Sequence, residues 1–95
     1  MKYHTDKTNL QLIGFINKSS NFYDILGIEC DCEKEDVKRS YRLLSIKVHP
    51  DKNDGSLEAT EAFKKLNSAH ECLTDEKKRL KYHNLLSSGY NKLDV

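Results

Sequence analysis

Two long stretches of the chain place apolar residues at helical spacing, and its single proline stands between them. In residues 33–48 the apolar positions Val37, Tyr41, Leu44 and Val48 fall four, three and four apart, which lines them along one face of a helix. Glu33, Glu35 and Asp36 occupy the first turn of that stretch and Lys47 the last, so side-chain charge complements the helix dipole at both ends. Pro50 lacks a backbone donor and disfavours helical geometry in the residue before it, so this helix is predicted to stop at or near His49. A loop over residues 52–56 follows, containing Asp54-Gly55. Leu57, Ala59, Ala62, Phe63, Leu66, Ala69, His70 and Leu73 then mark a second long amphipathic helix. So short a connection makes the two helices antiparallel. The alanines let them approach closely while Phe63, Leu66 and Leu73 interdigitate, and the expected core is this seam together with Phe22, Ile25 and Leu26.

Shorter elements flank the pair. Thr8-Asn9-Leu10-Gln11 resembles a capping box opening a short helix with Leu12, Ile13 and Ile16 on its apolar side. Asn21, with Asp24 three residues on, caps a brief helix through Phe22, Tyr23, Ile25 and Leu26, and Gly27 supplies its stop. Residues 28–32 read as a loop. Thr74-Asp75-Glu76 begins a last helix with Leu80, Tyr82, Leu85 and Leu86 on a less regular apolar side, ended by Ser87-Ser88-Gly89. The fold class is all-α, organised as an N-terminal extension (1–20), one domain (21–87) and a C-terminal tail (88–95).

Composition narrows the function. Ninety-five residues at 37% hydrophobic content can bury a small core but not a deep substrate cavity, so a large enzyme is excluded. Lys2, His4, Asp6 and Lys7 precede a stretch, 10–16, that Gln11 and Gly14 interrupt, too short and broken for a membrane span or a signal peptide. Sixteen basic against fifteen acidic residues leave a formal charge of +1, so any electrostatic function must come from local segregation. Such segregation is present: Lys34, Lys38 and Arg42 recur every four residues on a face running toward Ser45 and His49, with Arg39 beside it. Cys30, Cys32 and Cys72 are odd in number and lack the framework spacing of small secreted domains, which fits reduced thiols in the cytosol. Together with His70 they lack the paired C-x-x-C clusters of structural zinc modules. No base or oxyanion arrangement makes any of them a nucleophile, and no cofactor or metal is expected.

His49-Pro50-Asp51 alone would be a helix-ending turn. On a stiff turn its imidazole and carboxylate would lose little conformational entropy when a partner docks, which suits a recognition loop. The surrounding blocks are more specific. Residues 22–28, then Val37-Lys38-Arg39-Ser40-Tyr41-Arg42, then His49-Pro50-Asp51-Lys52-Asn53, then residues 62–67, then Leu73-Thr74-Asp75, then Lys78-Arg79 with Tyr82, occur in the order and separation of a J domain. Over about residues 21–85 the chain resembles the J domain of DnaJ-type co-chaperones.

That resemblance implies four helices, the second and third forming an antiparallel hairpin with the tripeptide in its loop and two shorter helices flanking it. It also implies a DnaK-type heat-shock chaperone ATPase as partner. The J domain performs no chemistry itself; it docks on the ATPase, promotes ATP hydrolysis and so promotes folding of unfolded client proteins indirectly. Carried over by position, the docking residues are Lys38, Arg39, Arg42, His49, Pro50, Asp51, Lys47 and Lys52. Asp51 is the expected anchor, a carboxylate suited to bidentate pairing with a partner arginine. The basic stripe would steer toward an acidic patch, and His49 would bond across the interface or hold the loop.

Leu43 departs from the family pattern, standing where a second basic residue is common, and His70 and His83 stand where an aromatic and an acidic residue are usual. His70 is expected to be partly buried and His83 solvent-facing. Residues 57–66 and the Asn53-Asp54-Gly55 lead-in look most like J domains of tail-anchored co-chaperones of the endoplasmic reticulum. The expected location is therefore the cytoplasm, or the cytosolic side of that membrane if the chain is cut from a longer protein. Without a Gly/Phe-rich linker, a zinc module or a client-binding β-domain, it resembles a J domain alone or one excised, expected to be monomeric and to make no membrane contact. A helix-turn-helix nucleic-acid module is the rival reading. The near-neutral charge and the acidic Glu33, Glu35, Asp36 and Asp51 around the basic face argue against it, and no nucleic acid is expected.

Overall fold

A computed structural model describes residues 7–87. They form five α-helices and no strand: α1 Asn9–Lys18, α2 Phe22–Leu26, α3 Lys34–Lys47, α4 Leu57–Thr74 and α5 Glu76–Ser87, with a 3₁₀ turn, Pro50–Lys52, between α3 and α4. The readings placed on Lys2, His4 and Asp6 and on the tail 88–95, with its Gly89 stop, lie outside the described residues.

The central pair is the predicted hairpin. Val37, Leu44 and Val48 from the α3 side meet Ala59, Ala62, Leu66, Ala69 and Leu73 of α4, all of them buried. Ser40 is buried with them, a position that apolar periodicity could not reveal because its side chain is polar. Tyr41 closes one edge of the seam. Its hydroxyl donates to Asn67 Oδ1 at 2.6 Å and its ring stacks on His70 at 4.0 Å between centroids.

The core is larger than the seam plus Phe22, Ile25 and Leu26. Leu12, Ile13, Ile16, Tyr23, Ile28 and Tyr82 also lie inside it. Three of these come from α1, which begins with the predicted capping box: Gln11 N–H donates to Thr8 Oγ1 at 3.2 Å and Thr8 N–H to Gln11 Oε1 at 2.9 Å. The helix packs against α4 and α2. Its far end is tied to α4 by Lys65 Nζ, donating to the Asn17 carbonyl at 2.8 Å, and by Asn17 Nδ2, donating to the Glu58 carbonyl at 3.0 Å.

α2 has only five residues, too few to be stable alone. Its orphan N-terminal donors find side-chain acceptors instead. Asp24 N–H is taken by Asn21 Oδ1 at 2.8 Å and Phe22 N–H by Tyr82 Oη at 2.8 Å. Gly27 ends the helix at φ 65°, a left-handed conformation that favours glycine.

α5 buries one side chain fully and is tied to the rest of the domain by polar contacts. Asp75 opens it, its carboxylate accepting from the N–H groups of Lys77 and Lys78, and those bonds hold its carboxyl below the ordinary range. Of its apolar residues only Tyr82 is buried, stacked on Phe22 at 4.6 Å, whereas Leu80 is 63% exposed. The reason is geometric: two residues apart on a helix is roughly 200°, so Leu80 and Tyr82 cannot both face the core. Leu57, placed on the apolar face of the second long helix by its spacing, is likewise exposed at the first turn of α4. Arg79 reaches back from α5 to the α2–α3 loop, donating to the carbonyls of Cys30 and Cys32 and lying 5.8 Å from the centre of the Tyr23 ring.

Candidate functional site

The loop joining α3 to α4 is built by its own residues. α3 ends at Lys47, Val48 caps it, and His49 takes an extended conformation (φ −57°, ψ 134°), as a residue before proline should. Pro50 then opens the 3₁₀ turn, where its missing donor and fixed φ cost nothing. Lys52 N–H and Asn53 N–H donate to the carbonyls of His49 and Pro50, each at 3.0 Å. Gly55 N–H adds a second bond to Pro50 O at 2.7 Å. Asp54 (φ 57°) and Gly55 (φ 62°) turn the chain back through left-handed conformations, which Asp and Gly tolerate. Ser56 then caps α4 by accepting from Ala59 N–H at 3.1 Å.

Within this turn the two polar side chains have different duties. His49 Nδ1 accepts the Asp51 N–H at 3.1 Å, which leaves the donor of a neutral ring at Nε2. The ring meets Phe63 edge-on at 5.2 Å and is half-buried. The Asp51 carboxylate, 3.9 Å from Nδ1, is 92% exposed, so water reaches nearly all of it.

Asn53 was missed as a site residue. Its Nδ2 donates to the carbonyls of Lys47 (3.1 Å) and His49 (2.9 Å), joining the open C-terminus of α3 to the start of the tripeptide. An amide residue two places after the tripeptide is the only trace of this in the sequence.

The eight anticipated docking residues do not form one patch. His49, Pro50, Asp51 and Lys52 share the turn, and Lys38 and Arg42 lie on the α3 flank that leads to it through Ser45. Lys38 and Arg39 are each engaged within α3, with Glu35 at 3.8 Å and Asp36 at 3.2 Å. Arg42, Lys47 and Lys52 make no ion pair among the described residues. Lys47 is set apart from the stripe: at 3.6 residues per turn it stands roughly 140° around α3 from Arg42.

Beside the tripeptide lies a shallow, mainly apolar depression walled by Tyr41, Ser45, Ile46 and Phe63, with His49, Asp51 and Lys52 at its rim. Ile46 is 55% exposed and escaped notice because it falls off the buried stripe. His70 backs Tyr41. Burial, with the nearby Lys38 charge, pushes its pKa below the ordinary histidine value, so at neutral pH the ring stacks on Tyr41 uncharged. It is partly buried and His83 is exposed, both as expected.

A helical hairpin that presents a hydrogen-bonded polar turn, with an apolar hollow beside it and cations that make no ion pair among the described residues, has the anatomy of a docking module. Comparison with known proteins makes the class specific. The family model for the DnaJ domain matches residues 21–83, which begin just before α2 and end within α5, and the chain belongs to that family. It is 42% identical over 71 residues to the chaperone protein DnaJ of Clostridioides difficile (strain 630), covering 75% of this chain and 18% of that protein. Identity is 44% over 72 residues to the DnaJ of Helicobacter pylori, covering 76% and 20% of the two chains. It is 48% over 65 residues to the DnaJ-like protein R260 of Acanthamoeba polyphaga mimivirus, covering 68% and 16%. The chain thus spans about a fifth of the length of these relatives. The crystal structure of the J-Trx1 fragment of ERdj5 superposes with a TM-score of 0.65 at 34% identity, over 79% of this chain and 37% of that one. The all-α J-domain fold expected from the sequence is the fold observed.

Proposed function

We propose that this chain docks on a DnaK-type heat-shock chaperone through the α3–α4 loop and the adjoining flank of α3, and stimulates that chaperone's ATP hydrolysis. The observation that carries the reading is the presentation of Asp51: a fully solvated carboxylate on a turn whose backbone is already fixed by His49, Pro50 and Asn53. Its ordering cost is met before docking, and an arginine of the partner can pair with it directly. In this reading Pro50 sets the turn, His49 offers Nε2 at the rim, and Arg42 and Lys52 steer toward an acidic surface. Lys38, Arg39 and Lys47 add to the field from positions where internal pairing or placement makes them weaker. The depression at Tyr41, Ile46 and Phe63 takes an apolar group of the partner. The J domain acts as a monomer, performs no chemistry and reaches unfolded clients only through the chaperone. Cys30, Cys32 and Cys72 are all free, which suits a reducing compartment, and we assign the domain to the cytosol or the cytosolic face of the endoplasmic reticulum membrane.

The test is single-turnover ATP hydrolysis by a DnaK-type chaperone with and without the chain. Stimulation is expected, and Asp51→Asn or His49→Gln should abolish it while leaving the helical circular dichroism unchanged. Equal stimulation by wild type and variants would overturn the reading.

A further inference from the structure

Tyr41 walls the depression beside the tripeptide and is at the same time held from behind by two residues of α4. Its hydroxyl donates to Asn67 Oδ1 at 2.6 Å, which fixes one end of the phenol. Its ring lies on the His70 imidazole at 4.0 Å, the planes 23° apart, which fixes the tilt. A phenyl ring at position 70 would supply that stack at every pH. An imidazole changes its charge near neutrality, so here the stack depends on a proton.

The surroundings of the ring favour its neutral form. From α3 it meets Tyr41 and the charge of Lys38. On α4 itself Asn67 and Thr74 stand a turn to either side, and the carboxylate of the adjacent Glu71 is taken by Lys78 of α5 at 3.0 Å. Burial first and Lys38 second push the His70 pKa below its ordinary 6.5. The attraction of an imidazolium for a tyrosine face opposes both, and it is weak where water reaches the ring. Position 70 is only partly buried, so a charged ring can turn out of the stack into water. Stability held by the neutral stack is fully present above pH 6.5 and is lost as pH falls from there through the lowered value, because the unfolded chain takes up its proton first.

We propose, resting on the docking reading above, that His70 is a positioning residue of the docking surface: neutral, it holds Tyr41 as the wall of the depression beside His49 and Asp51, and protonated, it releases that wall, so that docking weakens on mild acidification. Two effects of the proton compete. The added charge near Lys38 raises attraction for an acidic partner, but one solvated charge contributes little and salt screens it. Release of Tyr41 removes part of a preformed apolar surface, and salt does not restore it. A surface competent only with the neutral ring loses affinity in proportion to the neutral fraction, so the second effect prevails.

The experiment follows the full chain from about pH 7.5 to about pH 5.5, across the histidine range, as wild type, His70→Phe, His70→Gln and Asp51→Asn. In NMR spectra of the free wild-type chain the ring signals of His70 and Tyr41 should move with one midpoint below 6.5, while in His70→Phe those of Tyr41 should stay in place. Affinity for an ATP-bound DnaK-type chaperone is then measured over the same range, with helical circular dichroism confirming that each chain stays folded. His70→Phe should match wild type at the alkaline end and bind about tenfold more tightly one pH unit below the His70 midpoint, where about a tenth of the rings remain neutral. His49 and the groups of the chaperone titrate with either chain and cancel in that ratio. His70→Gln, with neither ring nor charge, should bind weakly at every pH. If Asp51→Asn abolishes docking while the ratio stays within about twofold across the range, or if Tyr41 ignores the titration of His70, the His70 proposal is overturned and the docking reading survives. If Asp51→Asn binds as wild type, both fall together.

Discussion

Asn53 does for the loop what no residue of the tripeptide can. Pro50 removes a donor and His49 uses its Nδ1 on Asp51, so the Lys47 carbonyl depends on the Asn53 amide, which also gives the His49 carbonyl a second donor beside the Lys52 N–H. Asn53→Ala is therefore expected to cost about 1–2 kcal/mol through two lost hydrogen bonds. It should also weaken docking by letting the turn sample other conformations. Asp51→Asn, at a side chain in full solvent, should change stability by no more than about 0.5 kcal/mol. Urea unfolding measures the contrast: a lower midpoint at unchanged slope for Asn53→Ala and an unmoved midpoint for Asp51→Asn. A midpoint for Asn53→Ala equal to wild type would show that the turn holds without it. The tripeptide itself was legible because proline acts locally, through a missing donor and a steric clash. Asn53 was not, since an asparagine in a polar loop has many possible acceptors and the pattern of residues does not choose among them.

Elements with their own caps and periodicity were equally legible. The box at Thr8 and Gln11, the Asn21 cap, the Gly27 stop and the seam of α3 with α4 all depend on residues a few places apart. α5 shows the limit. Its attachment depends on Tyr82 reaching the first donor of α2, sixty residues away in sequence. Burial raises the Tyr82 phenol to about 12, against an ordinary value of 10. The neutral form is thus preferred in the folded state. The associated stability is fully present below pH 10 and is lost as pH rises from 10 through about 12, because there the unfolded chain releases its proton first. The loss is on the order of 2–3 kcal/mol. Tyr82→Phe should flatten much of that alkaline limb, Tyr23 contributing what remains since burial raises its phenol too. At neutral pH the same change should cost about 1–3 kcal/mol by stranding the Phe22 N–H. Thermal melts from pH 7 to 11 would read both effects, and an alkaline limb as steep in the variant as in wild type would contradict the assignment to Tyr82.

At the scale of the molecule, the family match begins at residue 21, yet the packing begins at α1. A short helix with three aliphatic residues does not announce in its sequence which surface it covers. Leu12 and Ile16 are completely buried, Ile13 nearly so, and Lys65 and Asn17 tie the end of α1 to α4 on the flank away from Tyr41 and His70. Those ties make α1 one cooperative unit with the hairpin that presents the docking loop. Two outcomes separate this from a loosely attached helix. If α1 shares the core, Leu12→Ala leaves a cavity that the whole domain feels. A single urea transition should then shift by about 2–5 kcal/mol, seen alike by circular dichroism and tyrosine fluorescence. If α1 were an appendage, the same substitution would melt it in an early, separate phase and leave the main midpoint in place. The stimulation proposed for a DnaK-type chaperone should, at temperatures well below the melt, survive Leu12→Ala, because α1 packs on α4 and α2, behind the face that carries Arg42 and Asp51.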